Sequence, residues 1–373
     1  MRKWWVGLMF ATVVAASSLD AAPPAPKPLR LGIAGLSHSH VHGILGRTAN
    51  DVQIVGIAEP NRDLAGRYSK RYGLDVSLVF GSLEEMLAAA KPEAVAAFGP
   101  TDEHRTVVEA CAPRGVHVMV EKPLAFDLGE ALAMGALAAR HRVHLLTNFE
   151  TTWYPSVHAA GALIAEGAIG EIRKVVVHDG HRGPKEIGVE PEFLAWLSDP
   201  VRNGGGALTD FGCYGANLVT WLMRGEEPLA VTAVTQQMKP AIYPRVDDEA
   251  TIVLAYPHAQ AILQASWNWP VGRKDMEVYG ERGYVLVPDR STIRLRRGES
   301  SPEESWSPAA LPGPCQDPFA YLAAVVRGDV PVEPTDLSAL ANNTTVARIL
   351  DAARESARTE RTVTLAGRQE RQP

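Results

Sequence analysis

Three side chains stand out by type and position: Lys122, Asp210 and Tyr214. Lys122 lies in Glu121-Lys122-Pro123, directly after the apolar run 116–120, and so at the carboxyl end of a buried strand, facing a crevice. There an ammonium can polarise a substrate hydroxyl or lower the pKa of a neighbouring base. Pro123 fixes the chain direction and makes Lys122–Pro123 a candidate cis bond. Asp210, Tyr214 and Asn217 follow Gly204-Gly205-Gly206 at spacings i, i+4 and i+7. On a helix that starts near Asp210 they share one face. A carboxylate, a phenol and an amide are an odd core stripe but a usable site. The phenol serves as acid and base, its pKa lowered by Lys122; the carboxylate orients it or the substrate; Asn217 binds a further hydroxyl. The blander alternative has Asp210 capping the helix and Tyr214 packing.

The elements that must position them divide at about residue 148. Short apolar runs at 29–35, 52–58, 94–98, 116–120 and 143–146, with a weaker one at 78–80, read as buried strands. Helix-like stretches at 41–50, 61–72, 83–90, 103–112 and 128–140 separate them. Strands without alternation, joined by helices, make a parallel sheet covered on both faces, here a doubly wound one. After Thr147 the rhythm changes. Helices are expected at 156–166 and 210–223 and a strand at 172–178. Strands then follow one another at 231–236, 249–256, 259–267, 274–279, 283–287 and 292–295. This is a large, mostly antiparallel sheet in an α+β domain. The stretch 300–318 reads as a loop, and helices at 319–327 and 337–356 close the chain. The domains expected are 29–148 and 149–373, the last helices packing back on the first domain.

In a doubly wound sheet the ligand sits beyond the carboxyl ends of the strands. The first turn is Gly35-Leu36-Ser37-His38-Ser39-His40, which keeps only the first glycine of a dinucleotide fingerprint. Ser37 is small and can donate a hydrogen bond to a phosphate. Glu59 ends the second strand, where a carboxylate accepts ribose hydroxyls and repels a 2′-phosphate, favouring NAD over NADP. His38, His40 and His42 alternate as metal ligands can, but their place in a phosphate loop makes polar loop residues the plainer reading, and no metal is expected.

Composition narrows the function. The chain has 373 residues and a net charge of −6, which argues against nucleic-acid binding. Three cysteines at long spacings imply neither a disulfide framework nor a zinc ribbon. Arg2-Lys3, an apolar run 4–16 and small residues after it have the layout of a secretory signal over 1–22. A Pro-rich linker follows at 23–28. The mature protein is therefore expected to be periplasmic or secreted and not membrane-inserted, or cytoplasmic if the segment is misread.

Taken together, the Gly35 turn, Glu121-Lys122-Pro123, the run Gly167-Ala168-Ile169-Gly170-Glu171-Ile172 and Gly204-Gly205-Gly206-Ala207-Leu208-Thr209-Asp210-Phe211-Gly212 resemble the Gfo/Idh/MocA oxidoreductases. The resemblance runs from about Leu29 to the C-terminus. It implies a Rossmann domain, an α/β domain with an open sheet, and hydride transfer between NAD(P) and a sugar or polyol. Lys122 and Asp210 match the family's catalytic lysine and aspartate. Tyr214 stands where many members carry histidine; tyrosine there resembles the glucose–fructose oxidoreductase and dihydrodiol dehydrogenase branch. Cofactor contacts are expected at Gly35, Leu36, Ser37, His38, Glu59, Pro100, His104, Glu121 and Lys122. Substrate contacts are expected at Asn148 and Trp153 in the domain junction, at His181 and Lys185 in the loop after the 172–178 strand, and at Asn217. Trp267 and Trp269 are read as sheet packing or a subunit interface. The open sheet implies a homodimer or homotetramer. An exported enzyme would hold its nicotinamide tightly. Two alternatives share these residues: redox-neutral glycoside cleavage with catalytic NAD, and a non-catalytic carbohydrate- or nucleotide-binding descendant.

Overall fold

The computed structural model describes residues 27–365; the expected signal segment and most of the Pro-rich linker lie outside them. The first sheet contains β1 (Leu29–Ala34), β2 (Val52–Ala58), β3 (Val79–Phe80), β4 (Ala94–Ala97), β5 (His117–Glu121) and β6 (Leu145–Asn148). Their order is β3-β2-β1-β4-β5-β6 and every pairing is parallel. The order reverses between β1 and β4, which opens a crevice at their carboxyl ends. β1, β4 and β5 are buried nearly throughout, so they appear as continuous apolar runs rather than alternating ones.

The second sheet has nine strands: β7 (Ile172–Gly180), β8 (Ala230–Gln236), β9 (Glu249–Ala255), β10 (Gln260–Ser266), β11 (Arg273–Gly280), β12 (Tyr284–Asp289), β13 (Thr292–Arg296), β14 (Glu304–Trp306) and β15 (Val363–Thr364). Only β7 and β10 pair in parallel; the other pairings are antiparallel. Alternate residues of β7, Val175, Val177 and Asp179, point into the core. Helices Gly212–Leu222 and Leu340–Thr359 cover that inner face.

The helix Pro318–Arg327 belongs to the other domain's core. Phe319, Leu322 and Val325 pack with Leu31, Ile33 and Phe98, and Arg47 pairs with Asp317.

Three expectations on elements change. The stretch 300–318, expected as a loop, contains β14, paired with β13. The helix expected over 41–50 is limited to Val41–Leu45 and gives way at Gly46. The helix expected over 210–223 breaks at Phe211 into Ala207–Asp210 and Gly212–Leu222. The break matters because Asp210 no longer shares a helical face with Tyr214 and Asn217. Cys111, Cys213 and Cys315 are free.

Candidate active site

Gly35 ends β1 at φ +77°, and a Cβ there would lie 2.9 Å from the Gly99 nitrogen. A left-handed turn this close to β4 admits only glycine. Beyond it opens a cavity of about 630 Å³ lined by Gly35, Ser37, Glu59, Pro100, His104 and Trp196. Glu59 is buried and accepts the Leu36 and Asn61 backbone N–H groups, each at 2.8 Å. Burial pushes its carboxyl up, and Glu103 and Glu192, which line the same cavity, add to the rise. A 2′-phosphate would meet these carboxylates, so the cavity suits NAD better than NADP. Leu36 is a correction: its side chain is in the core and its N–H is taken by Glu59. His38 is another. It packs against Phe193 at 4.5 Å between ring centres and is not among the cavity-lining residues.

The far wall comes from the second domain, in a segment for which the sequence reading assigned no element. Helices Pro191–Leu197 and Pro200–Asn203 cross the crevice. Prolines at their first helical positions were the available signal. Trp196 Nε1 donates to Ser37 Oγ at 3.0 Å, Ser39 Oγ donates to Glu190 at 2.8 Å, and His42 Nε2 meets Glu190 at 2.7 Å. Arg67 pairs with Glu192, and Arg202 with Asp102 and Glu103. The segment is a strap over the nucleotide loop.

β5 delivers Glu121 and Lys122, and the Lys122–Pro123 bond is cis. Lys122 is buried and its ammonium pairs with Asp210 Oδ1, while also donating to the Asp210 carbonyl at 3.1 Å. Asp210 Oδ2 accepts the Trp267 indole N–H at 3.0 Å. Burial alone would lower the lysine pKa and raise that of the aspartate, but their mutual attraction outweighs it, so Lys122 stays cationic and Asp210 anionic. Asp210 is held in place by the glycine run before it. Asp247 accepts the N–H groups of Gly206 and Leu208 at 2.9 and 2.7 Å, and a Cβ on Gly206 would strike the Asp247 carbonyl.

Tyr214 is 1% exposed. The ammonium groups of Lys122 and Lys274 lie 5.3 and 4.4 Å from its ring centre, over the π face. Burial pushes its phenol well above the ordinary value, and the charges of Glu150 and Asp179 push the same way. This corrects the expectation of a phenol acidified by Lys122: the tyrosine keeps its proton at neutral pH. His181 stacks edge-on against Phe211 at 4.8 Å, and burial lowers its pKa although the charge of Asp210 opposes that. Its Nδ1 accepts the Gly183 N–H at 2.9 Å, which leaves the proton on Nε2.

Glu121 and Asn148 form a buried bracket behind the lysine. Asn148 Nδ2 donates to Glu121 at 2.7 Å and Trp153 Nε1 donates to Asn148 Oδ1 at 2.9 Å. Asn148 and Trp153, expected on the substrate, are therefore occupied in holding Glu121. Asn217 is a plainer correction. It is fully buried and donates to the Leu337 carbonyl and to Asn343, fixing the approach to the last long helix. Lys185 is exposed on the short helix Pro184–Ile187, with its backbone N–H on Tyr243. Trp267 is not at an outer interface but fully buried against the site.

His38, His40 and Glu121 have metal-ligand spacing. His38 Nδ1 accepts the His40 backbone N–H at 3.1 Å, so Nε2 carries the proton; it lies 3.9 Å from Glu121, beyond hydrogen-bond reach. That tautomer opposes a metal there.

Three groups in the site were missed at the sequence level. Asp179 and Lys274 are directly opposite each other across β7 and β11. Glu150 pairs with Lys274 and accepts from Tyr154 at 2.6 Å.

Residues 29–149 match the model of an oxidoreductase family with an NAD-binding Rossmann fold, and residues 157–286 match the GFO/IDH/MocA C-terminal domain. The chain is 25% identical over 346 residues to trans-1,2-dihydrobenzene-1,2-diol dehydrogenase of Sus scrofa, covering 88% of this chain and 96% of that protein. It is 25% identical over 269 residues to inositol 2-dehydrogenase of Rhizobium meliloti, covering 71% and 76%. Among solved structures, aldose-aldose oxidoreductase from Caulobacter crescentus complexed with glycerol superposes with a TM-score of 0.75 at 24% identity, covering 91% of this chain and 100% of that one. An inositol dehydrogenase homolog complexed with NAD+ from Azotobacter vinelandii superposes with a TM-score of 0.78 at 19% identity, covering 91% and 97%. With both halves matched, the chain belongs to the GFO/IDH/MocA family of NAD(P)-dependent oxidoreductases.

Proposed function

We propose that this protein interconverts a secondary hydroxyl and a carbonyl on a sugar or polyol, with NAD held beneath the strap. The observation that carries the reading is the buried Lys122–Asp210 pair beside the Tyr214 ring, formed where the end of β5 in the nucleotide domain meets the second domain. The named relatives act on a dihydrodiol and on inositol, and a structural neighbour binds glycerol. NAD supplies the hydride acceptor when bound. Gly35, Ser37, Glu59 and Pro100 would hold its adenosine and pyrophosphate side.

Lys122 remains an ammonium and steadies negative charge on the substrate oxygen. Asp210 keeps that ammonium charged and aimed. In the reducing direction Tyr214 would donate its phenolic proton to the carbonyl oxygen. In the oxidising direction the phenol must first be deprotonated before it can take the hydroxyl proton. His181, with its proton on Nε2, offers a further donor to substrate hydroxyls.

The test is to denature purified protein, identify released small molecules by mass spectrometry, and assay a panel of aldoses and polyols. Stoichiometric NAD and turnover of neutral sugars are expected. Binding of sugars without turnover would replace this reading with a non-catalytic one; cleavage of aryl glycosides without added oxidant would replace it with the redox-neutral one. The finer proposals have their own tests. Residues 1–22 act as a cleaved export signal, tested by the N-terminal sequence of the mature protein. The outer face of the nine-stranded sheet, with Val234 62% exposed, receives a second copy, tested by light scattering of wild type against Val234→Glu.

A further inference from the structure

We propose that Asp179 is a specificity-determining residue of this active site, anchoring hydroxyls next to the reacting carbon and turning away anionic substrates. The inference rests on the polyol reading above.

Asp179 is the last but one residue of β7 and is 2% exposed. Neither of its carboxyl oxygens has a hydrogen-bond partner among the described residues. A buried carboxyl without partners is costly, and such a group needs an explanation. Packing does not supply one. Its neighbour on β10 is Ala265, which leaves room beside it, and its neighbour on β11 is Lys274. The Lys274 ammonium is already paired with Glu150, just as Lys122 is paired with Asp210. Each lysine thus has its own hydrogen-bonded carboxylate; Asp179 attracts the Lys274 charge but receives no hydrogen bond from it. A cavity of about 10 Å³ bounded by Asp179, Tyr214 and Lys274, room for about one hydroxyl, lies against it.

The chemistry of a matching ligand follows. Two unfilled carboxyl oxygens beside the proton-donating tyrosine suit the hydroxyls of a neutral polyol, which can donate to both. Burial favours the protonated acid, which can also donate to a substrate oxygen. A substrate carboxylate or phosphate would find no unpaired cation among these groups, and would face a third carboxyl beside Asp210 and Glu150. Fixed groups left unpaired by the wrong ligand discriminate more strongly than apolar fit.

The experiment compares holoenzyme of the wild type, Asp179→Asn and Asp179→Ser. D-glucose, D-xylose and myo-inositol are assayed against D-glucuronate and D-gluconate, with melting temperature and NAD affinity measured in parallel. In the variants the KM for neutral substrates should rise at least tenfold while NAD affinity holds. The ratio of kcat/KM for glucuronate over glucose should rise at least tenfold in Asp179→Asn. The melting temperature should stay level or increase, because an unpaired buried acid is removed. A lower melting temperature with neutral and anionic substrates declining in proportion assigns a merely structural role and overturns the proposal. So does an unchanged ratio in whichever variant folds. If wild type turns over no neutral sugar, the polyol reading itself falls and this inference with it. If wild type does so and the ratio is unmoved, only the assignment of Asp179 fails.

Discussion

The indole of Trp267 donates to Asp210 Oδ2 at 3.0 Å, taking the carboxylate oxygen that Lys122 leaves. The aspartate is therefore held at both oxygens, one by charge and one by a rigid neutral donor. Trp267→Phe should leave that second oxygen unpaired at a buried site. A hydrogen bond to a charged group contributes about 2 kcal/mol, so a lower melting temperature and roughly tenfold lower turnover are expected. Thermal denaturation and steady-state assays of the variant check this; an unchanged turnover would show that Lys122 alone holds Asp210.

Lys122→Ala removes the only cation paired with Asp210 in the described site. Turnover should fall by at least about 10²-fold, the scale of acid–base assistance. Lys122→Arg keeps the charge but not the geometry and should recover little. Near-normal rates in the alanine variant would remove the lysine from the mechanism.

The buried phenol of Tyr214 sets a pH dependence with a definite sign. Its pKa is pushed well above the ordinary value by burial, with Glu150 and Asp179 adding to the rise. Below that pKa the phenolate fraction grows about tenfold per pH unit, so kcat/KM for alcohol oxidation should climb steadily from pH 7 to 9. Carbonyl reduction, which uses the protonated phenol, should stay level over the same range. A plateau in oxidation near neutrality would instead indicate a phenol acidified by the lysines. Tyr214→Phe should depress both directions.

Glu121 makes the protein acid-sensitive. Burial raises its pKa, but the His40 and His38 imidazoles and the hydrogen bonds from His40 and Asn148 bring it down to about 2 from 4.5. A depressed carboxyl stabilises the native state above its unfolded pKa. That contribution, about 3 kcal/mol, is lost as pH falls from 4.5 towards 2. Glu121→Gln should melt well below wild type at pH 7, and the gap should narrow as the pH is lowered through this window. A gap independent of pH would contradict it.

The strap predicts slow nucleotide exchange. Trp196→Phe deletes the hydrogen bond to Ser37 while keeping the ring. A neutral hydrogen bond contributes about 1 kcal/mol, roughly fivefold in the NAD release rate. Stopped-flow displacement of NADH, followed by its fluorescence, measures the rate; equal rates in both proteins would show that the strap does not gate release.

Much of this was legible from local signals. The parallel sheet shows as apolar runs because both its faces are covered, and Lys122 is recognisable because it ends one of them. Gly35 and Glu59 follow from strand ends in the same way. What the sequence concealed depends on contacts between distant segments. Asp179 and Lys274 become neighbours only through the β7–β11 register. Asn217 has the spacing of a site residue but is taken by the Leu337 carbonyl and Asn343, partners far along the chain. The sign of the Tyr214 shift could not be read from a nearby lysine, since burial outweighs it. The strap contains polar and aromatic residues without a sustained period, and its helices are four and seven residues long, too short for a periodic signal.

The helix Pro318–Arg327 lends Phe319, Leu322 and Val325 to the core beneath β1 and β4, and Arg327 donates to the carbonyl of Asp51 at 3.3 Å. The nucleotide domain is therefore contiguous in space but not along the chain. During synthesis its sheet emerges first and waits, with one apolar side only partly covered by helices Val41–Leu45 and Arg62–Tyr72, while the whole second domain is made. Only when residue 327 has left the ribosome can the first domain be completed, so the last part of the chain decides when the cofactor has a finished place to bind.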